Sequence, residues 1–402
     1  MRIKLKPIDE QVMVITGADS GIGLATARAA AERGAKLVIN SRNEEELASI
    51  AADLRSEFGA QVEWHAGDVA DAHAMLEVAE VAIRAFGRID TWVNNAAVAV
   101  YGELERVPVD DARRLFETNY WGVVNGSLAA LPYLRAQGGA LINVGSILSD
   151  RAIPLQGHYS ATKHAVKAFT DSLRMELEHE GAPVSVTLVK PGAIDTPYPE
   201  HARNYMDAEP RHPQPVYAPE VVADAILECA QHPKRSITVG GGGRMMAMMG
   251  VLTPRLADRY MEATMYRQQK RKKPGSLPQD EALWAPSPLS GRTRGDQPGH
   301  IMKSSLYTKA ALHPGRTVLA LGAFGLGFAL VKTAGQLIGE RRAMEDADIE
   351  VQVRGPGEGV PSTEERYAHA GLDPAPGDGY RPDAGSDPAG RYGNGNGYGF
   401  GI

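Results

Sequence analysis

Short apolar runs alternate with longer amphipathic ones along the first 243 residues. Val12–Thr16 is a β-branched run, and residues 21–33 after it place Ile22, Leu24, Ala25 and Ala29 on one helical face. Residues 36–40 form the next predicted strand and 44–58 the next helix. The strand signature returns at 62–66, 90–94, 140–144 and 184–190, separated by helical stretches at 72–86, at 108–136 with a break inside, and at 161–180. These strands are apolar on both faces rather than alternating, the mark of a parallel sheet covered by helices on each side. Repeated strand–helix units with right-handed crossovers predict an α/β fold built on a doubly wound, Rossmann-type sheet. A helix at 219–231 and a strand at 236–239 close that domain near Gly243.

The pattern changes after residue 243. Residues 244–273 read as a methionine-rich helical extension, in which Met245, Met246, Met248 and Met249 are expected to fill a packing gap rather than line a substrate mouth. Its basic end, residues 267–273, reads as a solvated helix terminus, with attraction to anionic lipid as the sharper alternative. Residues 274–314, rich in Pro, Gly and Ser, are expected to be a linker. Residues 315–342 predict an apolar helix. The run 317–331 is shorter than the roughly 20 residues a spanning helix needs. Continuation to Ile338, with Arg341 and Arg342 beyond it, supplies the length, and Ala323 and Gly327 lie at close-packing spacing. A membrane-associated helix and a helix docked on protein both remain open. From 343 to 402, Gly, Pro and Asp dominate, and too few aliphatic side chains remain to offset ordering entropy, so a disordered tail is expected.

With 402 residues, 43% of them hydrophobic, the chain can bury a sizeable core. The single cysteine, Cys229, excludes an internal disulfide, and the basic start is not followed by an apolar run of signal-peptide length; a cytoplasmic location is expected, with membrane association through 315–342 as the open variant. A net charge of -6 argues against general nucleic-acid affinity.

Two motifs carry chemistry. Thr16-Gly17-Ala18-Asp19-Ser20-Gly21-Ile22-Gly23 follows the first strand and opens the first helix. Gly17 permits a tight turn, Gly21 and Gly23 let the backbone approach a pyrophosphate, and the free N–H groups at the helix start favour an anion. The second strand ends at Asn40-Ser41-Arg42, where NAD-selective folds carry an acidic residue for the ribose hydroxyls. Ser41 stands in that place and Arg42 attracts a 2′-phosphate, so NADP(H) is expected over NAD(H). The second motif is Tyr159-Ser160-Ala161-Thr162-Lys163. Tyr159 and Lys163 share one helical face, and a nearby ammonium is expected to lower the phenol's pKa toward neutrality, making a proton-exchanging group. Ser146, just past the fifth strand, can hold a substrate oxygen as charge develops on it.

Together these residues make the chain similar to the short-chain dehydrogenase/reductase family, from about residue 12 to 243. The match includes the 16–23 loop, Asp68-Val69 after the third strand, Asn94-Asn95-Ala96-Ala97 after the fourth, Asn119, Ser146, Tyr159, Lys163 and Pro191-Gly192. Ala97 departs from the family's usual glycine. The resemblance implies that Asp68 contacts the adenine, that Asn95 and Ala96 line the cofactor site, and that Asn119 holds a water in a proton relay to Lys163. It further implies that Ile194 and Thr196 meet the nicotinamide amide, that residues 193–217 form a variable substrate lid, and that two long helices, 112–136 and 161–180, pair copies into a homo-oligomer. His201 and His212 in that lid read as solvated loop residues, and no metal-ligand spacing is present. The expected activity is hydride transfer between NADP(H) and a carbonyl or alcohol group of a small organic substrate. The alternative is an NADP(H)-binding regulatory or membrane-tethered interaction protein without turnover.

Overall fold

The computed structural model describes residues 3–275, 281–287, 290–315 and 317. The expected apolar helix and the tail therefore lie outside the described residues, apart from 315 and 317. Among the described residues no helix is long and apolar enough to cross a membrane.

Seven strands form the central sheet: β1 Val12–Thr16, β2 Lys36–Ser41, β3 Val62–Ala66, β4 Thr91–Asn94, β5 Gly139–Val144, β6 Val184–Pro191 and β7 Ser236–Val239. They lie in the order β3-β2-β1-β4-β5-β6-β7, and every pairing is parallel. Every residue of β1 is buried, and alternate side chains enter opposite cores. Met13 and Ile15 join one hydrophobic cluster, Val12 and Val14 the other. That two-sided burial is why the run carries no polar alternation. In register, Val14 stands beside Val38 on one side and Trp92 on the other.

Helices α1 Gly21–Glu32, α2 Glu44–Phe58 and, far along the chain, Pro219–Gln231 cover one face. The other face carries α3 Ala72–Phe86, the bent pair α4 Val109–Phe116 and α5 Gly122–Gln137, and α6 Gly157–Glu180. The helix α2 begins where Asn43 accepts a hydrogen bond from the Glu46 N–H at 3.2 Å, with three glutamates in the positive first turn. The break expected within 108–136 is a π-helical turn, Glu117–Trp121, that carries Asn119. We number Pro219–Gln231 as α7; it starts on a proline, whose missing N–H costs nothing in a first turn. Strand order reverses between β1 and β4, so a crevice opens at their carboxyl ends, where ligands of such sheets bind.

Beyond β7, the methionine-rich stretch holds α8 Gly241–Leu252 and α9 Pro254–Gln268. Its basic end differs from both readings. Lys270–Pro274 is a strand paired antiparallel with Ala208–Pro210. Lys270 pairs with Asp207, Arg271 with Asp296 at 3.3 Å and Lys273 with Glu209 at 3.9 Å, so nearby carboxylates partner much of the run's charge. The stretch expected as a linker also differs. Where described, it is attached to the domain: Ile301–Met302 pairs with Val216–Tyr217, α10 Leu306–Leu312 packs near β7, and residues 281–287 and 290–296 border the crevice.

Candidate active site

A cavity of about 550 Å³ occupies the crevice. Its floor is the turn between β1 and α1. Gly17 adopts φ +62°, and a Cβ there would meet the Ala96 backbone at 2.7 Å, so both the turn and the close approach call for glycine. Gly23 lies one layer behind the wall: a Cβ on it would fall 1.9 Å from the Gly17 carbonyl oxygen. Asn95 staples this turn to β4, donating from Nδ2 to the carbonyls of Thr16 and Gly17 at 3.0 Å each. Asp19, Ser20, Gly21 and Ile22 face the cavity from the loop, as do Ala96 and Ala97 from the end of β4.

Ser41, Arg42, Asp68 and Val69 line the next portion. The Asp68 carboxylate is paired with Arg114 and accepts from the Ala70 N–H at 3.0 Å. Arg42 donates from Nη2 to the carbonyls of Ala282 and, at 3.0 Å, Ala285, whereas its buried Nη1 has no hydrogen-bond partner. Burial lowers the Arg42 pKa from its ordinary value, and the Asp68 carboxylate opposes that shift. A buried guanidinium with an open donor beside a glycine turn that tolerates no side chain fits the phosphates of a dinucleotide.

At the opposite end stand Ser146, Tyr159 and Lys163. Ser146 caps a short 3-10 turn: its Oγ accepts from the Leu148 N–H at 3.1 Å. Burial pushes the Tyr159 phenol up to about 12, against the opposing pull of the neighbouring Tyr198 and Ser146 hydroxyls. The pKa expected to fall is therefore raised here. The reason is geometric: Lys163 Nζ donates to the Val144 carbonyl at 2.9 Å and stands 5.7 Å from the centre of the Tyr159 ring. The ammonium is itself desolvated, which lowers its pKa to about 8.

Asn119 is fully buried and stands behind the wall. Its Oδ1 accepts from the Val98 N–H at 2.8 Å, and its Nδ2 donates to the Val98 carbonyl at 3.0 Å and to the Thr162 hydroxyl at 3.3 Å, so the side chain ties the chain past β4 to helix α6. Pro191, Gly192, Ile194 and Thr196 line the cavity as well, and Thr196 packs beside Gly21.

The periodicity gave no warning of several wall residues. Tyr198 packs edge-on against Tyr159 with centroids 5.5 Å apart and stacks on His212 at 5.6 Å. His212 is not a solvated loop residue: its Nε2 is buried without a partner, and burial lowers its pKa to about 4. Met245, Met246 and Met249 reach the cavity rather than filling a gap elsewhere, joined by Met265 and Tyr260. Their shared signal was only a cluster of methionines and aromatics close to the domain's end. Among the described residues no group of His, Cys, Asp and Glu could hold a metal ion.

The sequence pattern of the short chain dehydrogenases matches residues 11–206. The chain is 48% identical over 316 residues to the uncharacterized oxidoreductase YxnA of Bacillus subtilis, a match covering 78% of this chain and 88% of that protein. A short chain dehydrogenase/reductase of Burkholderia phymatum, solved in complex with NAD, superposes with a TM-score of 0.56 at 26% identity, covering 68% of this chain and all of that one. An alcohol dehydrogenase of Thermococcus sibiricus, complexed with 5-hydroxy-NADP, gives 0.51 at 29% identity, over 57% of this chain and 95% of that one. The chain belongs to the short-chain dehydrogenase/reductase family. It is an NAD(P)-dependent oxidoreductase.

Proposed function

We propose that the protein transfers hydride between NADP(H) and the carbonyl or alcohol carbon of a small organic substrate with an apolar body, with Tyr159 handling the proton. The observation that carries this reading is that Ser146, Tyr159 and Lys163 line the same cavity as the glycine turn and Arg42, whose Nη1 is open. The dinucleotide, when bound, supplies or accepts the hydride. Asp19, Ser20, Gly21 and Ile22 would receive its pyrophosphate on a turn that Gly17 and Gly23 keep tight, and Ser41 and Arg42 the substituted ribose. Asp68 and Val69 would flank the adenine; Asn95, Ala96, Pro191, Gly192, Ile194 and Thr196 would enclose the nicotinamide half.

A substrate oxygen accepts hydrogen bonds from Ser146 and Tyr159. In reduction Tyr159 gives up its proton as that oxygen becomes an alkoxide, and at neutral pH burial keeps the proton in place for the task. The Lys163 ammonium, charged below about 8, lines the same cavity, where it would reach the ribose hydroxyls and pass a proton onward. Asn119 shapes the turn through which solvent returns a proton toward Lys163. The methionines leave the remote part of the substrate an apolar, adaptable wall, and His212 Nε2 offers it one hydrogen bond. Pairing of two copies through α5 and α6 is supported by Leu128 and Met175, both exposed on those helices.

Tyr159→Phe tests the assignment against a panel of ketones, aldehydes and secondary alcohols. Turnover should fall by roughly 10²–10⁴, the usual size of a general acid's contribution. Cofactor affinity should stay within about threefold of the parent, a difference below 1 kcal/mol. Near-parental turnover would remove Tyr159 from its role.

A further inference from the structure

We infer that residues 281–287 and 290–296 are a built wall of the nucleotide site that fixes Arg42 for a 2′-phosphate, and so set selectivity between NADP(H) and NAD(H). This rests on the NADP(H) reading above. The strap lies outside the stretch that the family's pattern matches, residues 11–206. It is nevertheless stitched to each part of the nucleotide half of the cavity.

The attachment begins at Arg42. Two strap carbonyls, Ala282 and Ala285, take its Nη2, and Nη1 is left buried without a partner. A guanidinium is planar, so fixing one nitrogen fixes the direction of the other's donors. The same strap holds Arg114, whose Nε donates to the Leu283 carbonyl at 3.1 Å and whose guanidinium lies 5.9 Å over the Trp284 ring. Trp284 in turn donates from Nε1 to Asp111 at 2.8 Å, and Leu283 is fully buried. Further on, the strap joins the glycine turn itself. The Gly291 N–H donates to the Asp19 carbonyl at 2.7 Å, and the Gly21 N–H donates to the Arg292 carbonyl at 2.9 Å. Arg292 with Glu200 and Arg294 with Glu220, both at 2.7 Å, anchor the far end.

The carboxylates around Arg42 are Asp68, Asp19 and Glu281, and each would repel a phosphate if left free. Asp68 is paired with Arg114, and Glu281 with Arg203 at 3.2 Å. Asp19 accepts from the Ser290 hydroxyl at 3.1 Å, so the strap also turns this third carboxylate toward itself. The two dinucleotides differ by one phosphate dianion. A site discriminates between them through a cation held ready and through the screening of nearby anions. The strap does both.

The test measures Kd for NADP+ and NAD+ by calorimetry on the full chain and on Trp284→Ala, Ser290→Ala and Arg42→Ala, with circular dichroism on each. In Trp284→Ala the Kd for NADP+ should rise by about tenfold or more and that for NAD+ by less than about threefold, collapsing the ratio. Ser290→Ala removes one hydroxyl, leaves the backbone attachments in place, and should shift the ratio in the same direction by about threefold. It decides the matter should the tryptophan variant fail to fold. In an Arg42→Ala background neither strap substitution should alter the ratio further, since coupled residues act through one another. A parent that binds NAD+ as tightly as NADP+ overturns the cofactor reading. A parent that prefers NADP+, with its ratio unchanged in a folded strap variant, overturns the strap's role and leaves the cofactor reading standing.

Discussion

Lys163 Nζ donates to the main-chain carbonyl of Val144 at 2.9 Å, and no charge–charge attraction offsets the burial of the Tyr159 hydroxyl one helical turn earlier. The two groups therefore move in opposite directions. Burial disfavours the charged form of each, pushing the phenol up to about 12 and the ammonium down to about 8. The pair is arranged to keep a proton on Tyr159 at neutral pH.

This fixes the pH dependence of the two directions. Reduction needs the protonated phenol, so its kcat/KM should be flat from about pH 6 to 8 and decline above the point where Lys163 loses its charge. Oxidation needs the phenolate, whose population grows about tenfold per pH unit below the phenol's pKa. The oxidation rate should climb at nearly that slope up to pH 8 and bend beyond it. A flat oxidation profile between pH 6 and 8 would show that proton removal is not carried by Tyr159.

Lys163→Met should make the protein more stable and less active. The native state holds the lysine's proton less tightly than the unfolded chain, whose lysine titrates near 10.5. Between about 8 and 10.5 the unfolded state binds more protons, so parental stability rises with pH across that window. At pH 7 the buried ammonium costs stability; methionine removes that cost but leaves the Val144 carbonyl without its donor. We expect a net gain of about 1–2 kcal/mol at pH 7 by urea denaturation, together with a loss of the pH 8–10.5 rise. Turnover should drop by roughly 10² or more. A destabilised variant at pH 7 would contradict this balance.

The parts of the molecule that the sequence made legible are those governed by local pattern. The β1 run and helix α7 fall where the apolar periodicity puts them, because strands buried on both faces can carry little else and because Pro219 marks a first turn. The start of α6 lies earlier than the expected 161, at Gly157, whose close approach to Leu104 is a tertiary contact with no periodic signature. That Ser146, Tyr159 and Lys163 would meet at one cavity was legible from spacing, and their electrostatics were not: the sign of the Tyr159 shift depends on burial. The strap bordering the crevice was illegible for a sharper reason. Arg42 is held by main-chain carbonyls about 240 residues away, and a carbonyl looks the same in every residue type. A Pro-rich, Gly-rich stretch with no apolar face reads as a linker even when its backbone carbonyls hold a distant side chain.

His212 should make the protein acid-sensitive through its own ring. Burial lowers its pKa to about 4, against 6.5 for an ordinary histidine. The stacked Tyr198 ring supplies no charge, and no carboxylate enters its shift. Between about pH 6.5 and 4 the unfolded chain takes a proton on this residue that the native state refuses, so native stability falls as pH falls through that range. His212→Phe retains the stack and removes the titration. Its stability should therefore decline less steeply from pH 6.5 to 4.5 than the parent's, and its KM for substrate should rise where the substrate uses the Nε2 bond. Identical slopes for parent and variant would mean that His212 is protonated in the native state at those pH values.

Gly23→Ala should separate the architecture of the phosphate turn from that of the rest of the fold. The added methyl would fall 1.9 Å from the Gly17 carbonyl oxygen and 2.6 Å from Asn95 Nδ2. The first is backbone, and the second is tied to Thr16 and Gly17, so neither can move without opening the turn. Overpacking of this kind costs about 1–3 kcal/mol, which for a domain of this size lowers Tm by about 3–10 °C. The sheet behind the turn, with β1 paired on both sides, does not depend on it. The variant should remain folded by circular dichroism yet lose most of the rise in Tm that saturating nucleotide gives the parent. A full nucleotide-dependent rise in the variant would mean that the pyrophosphate does not rest on this turn.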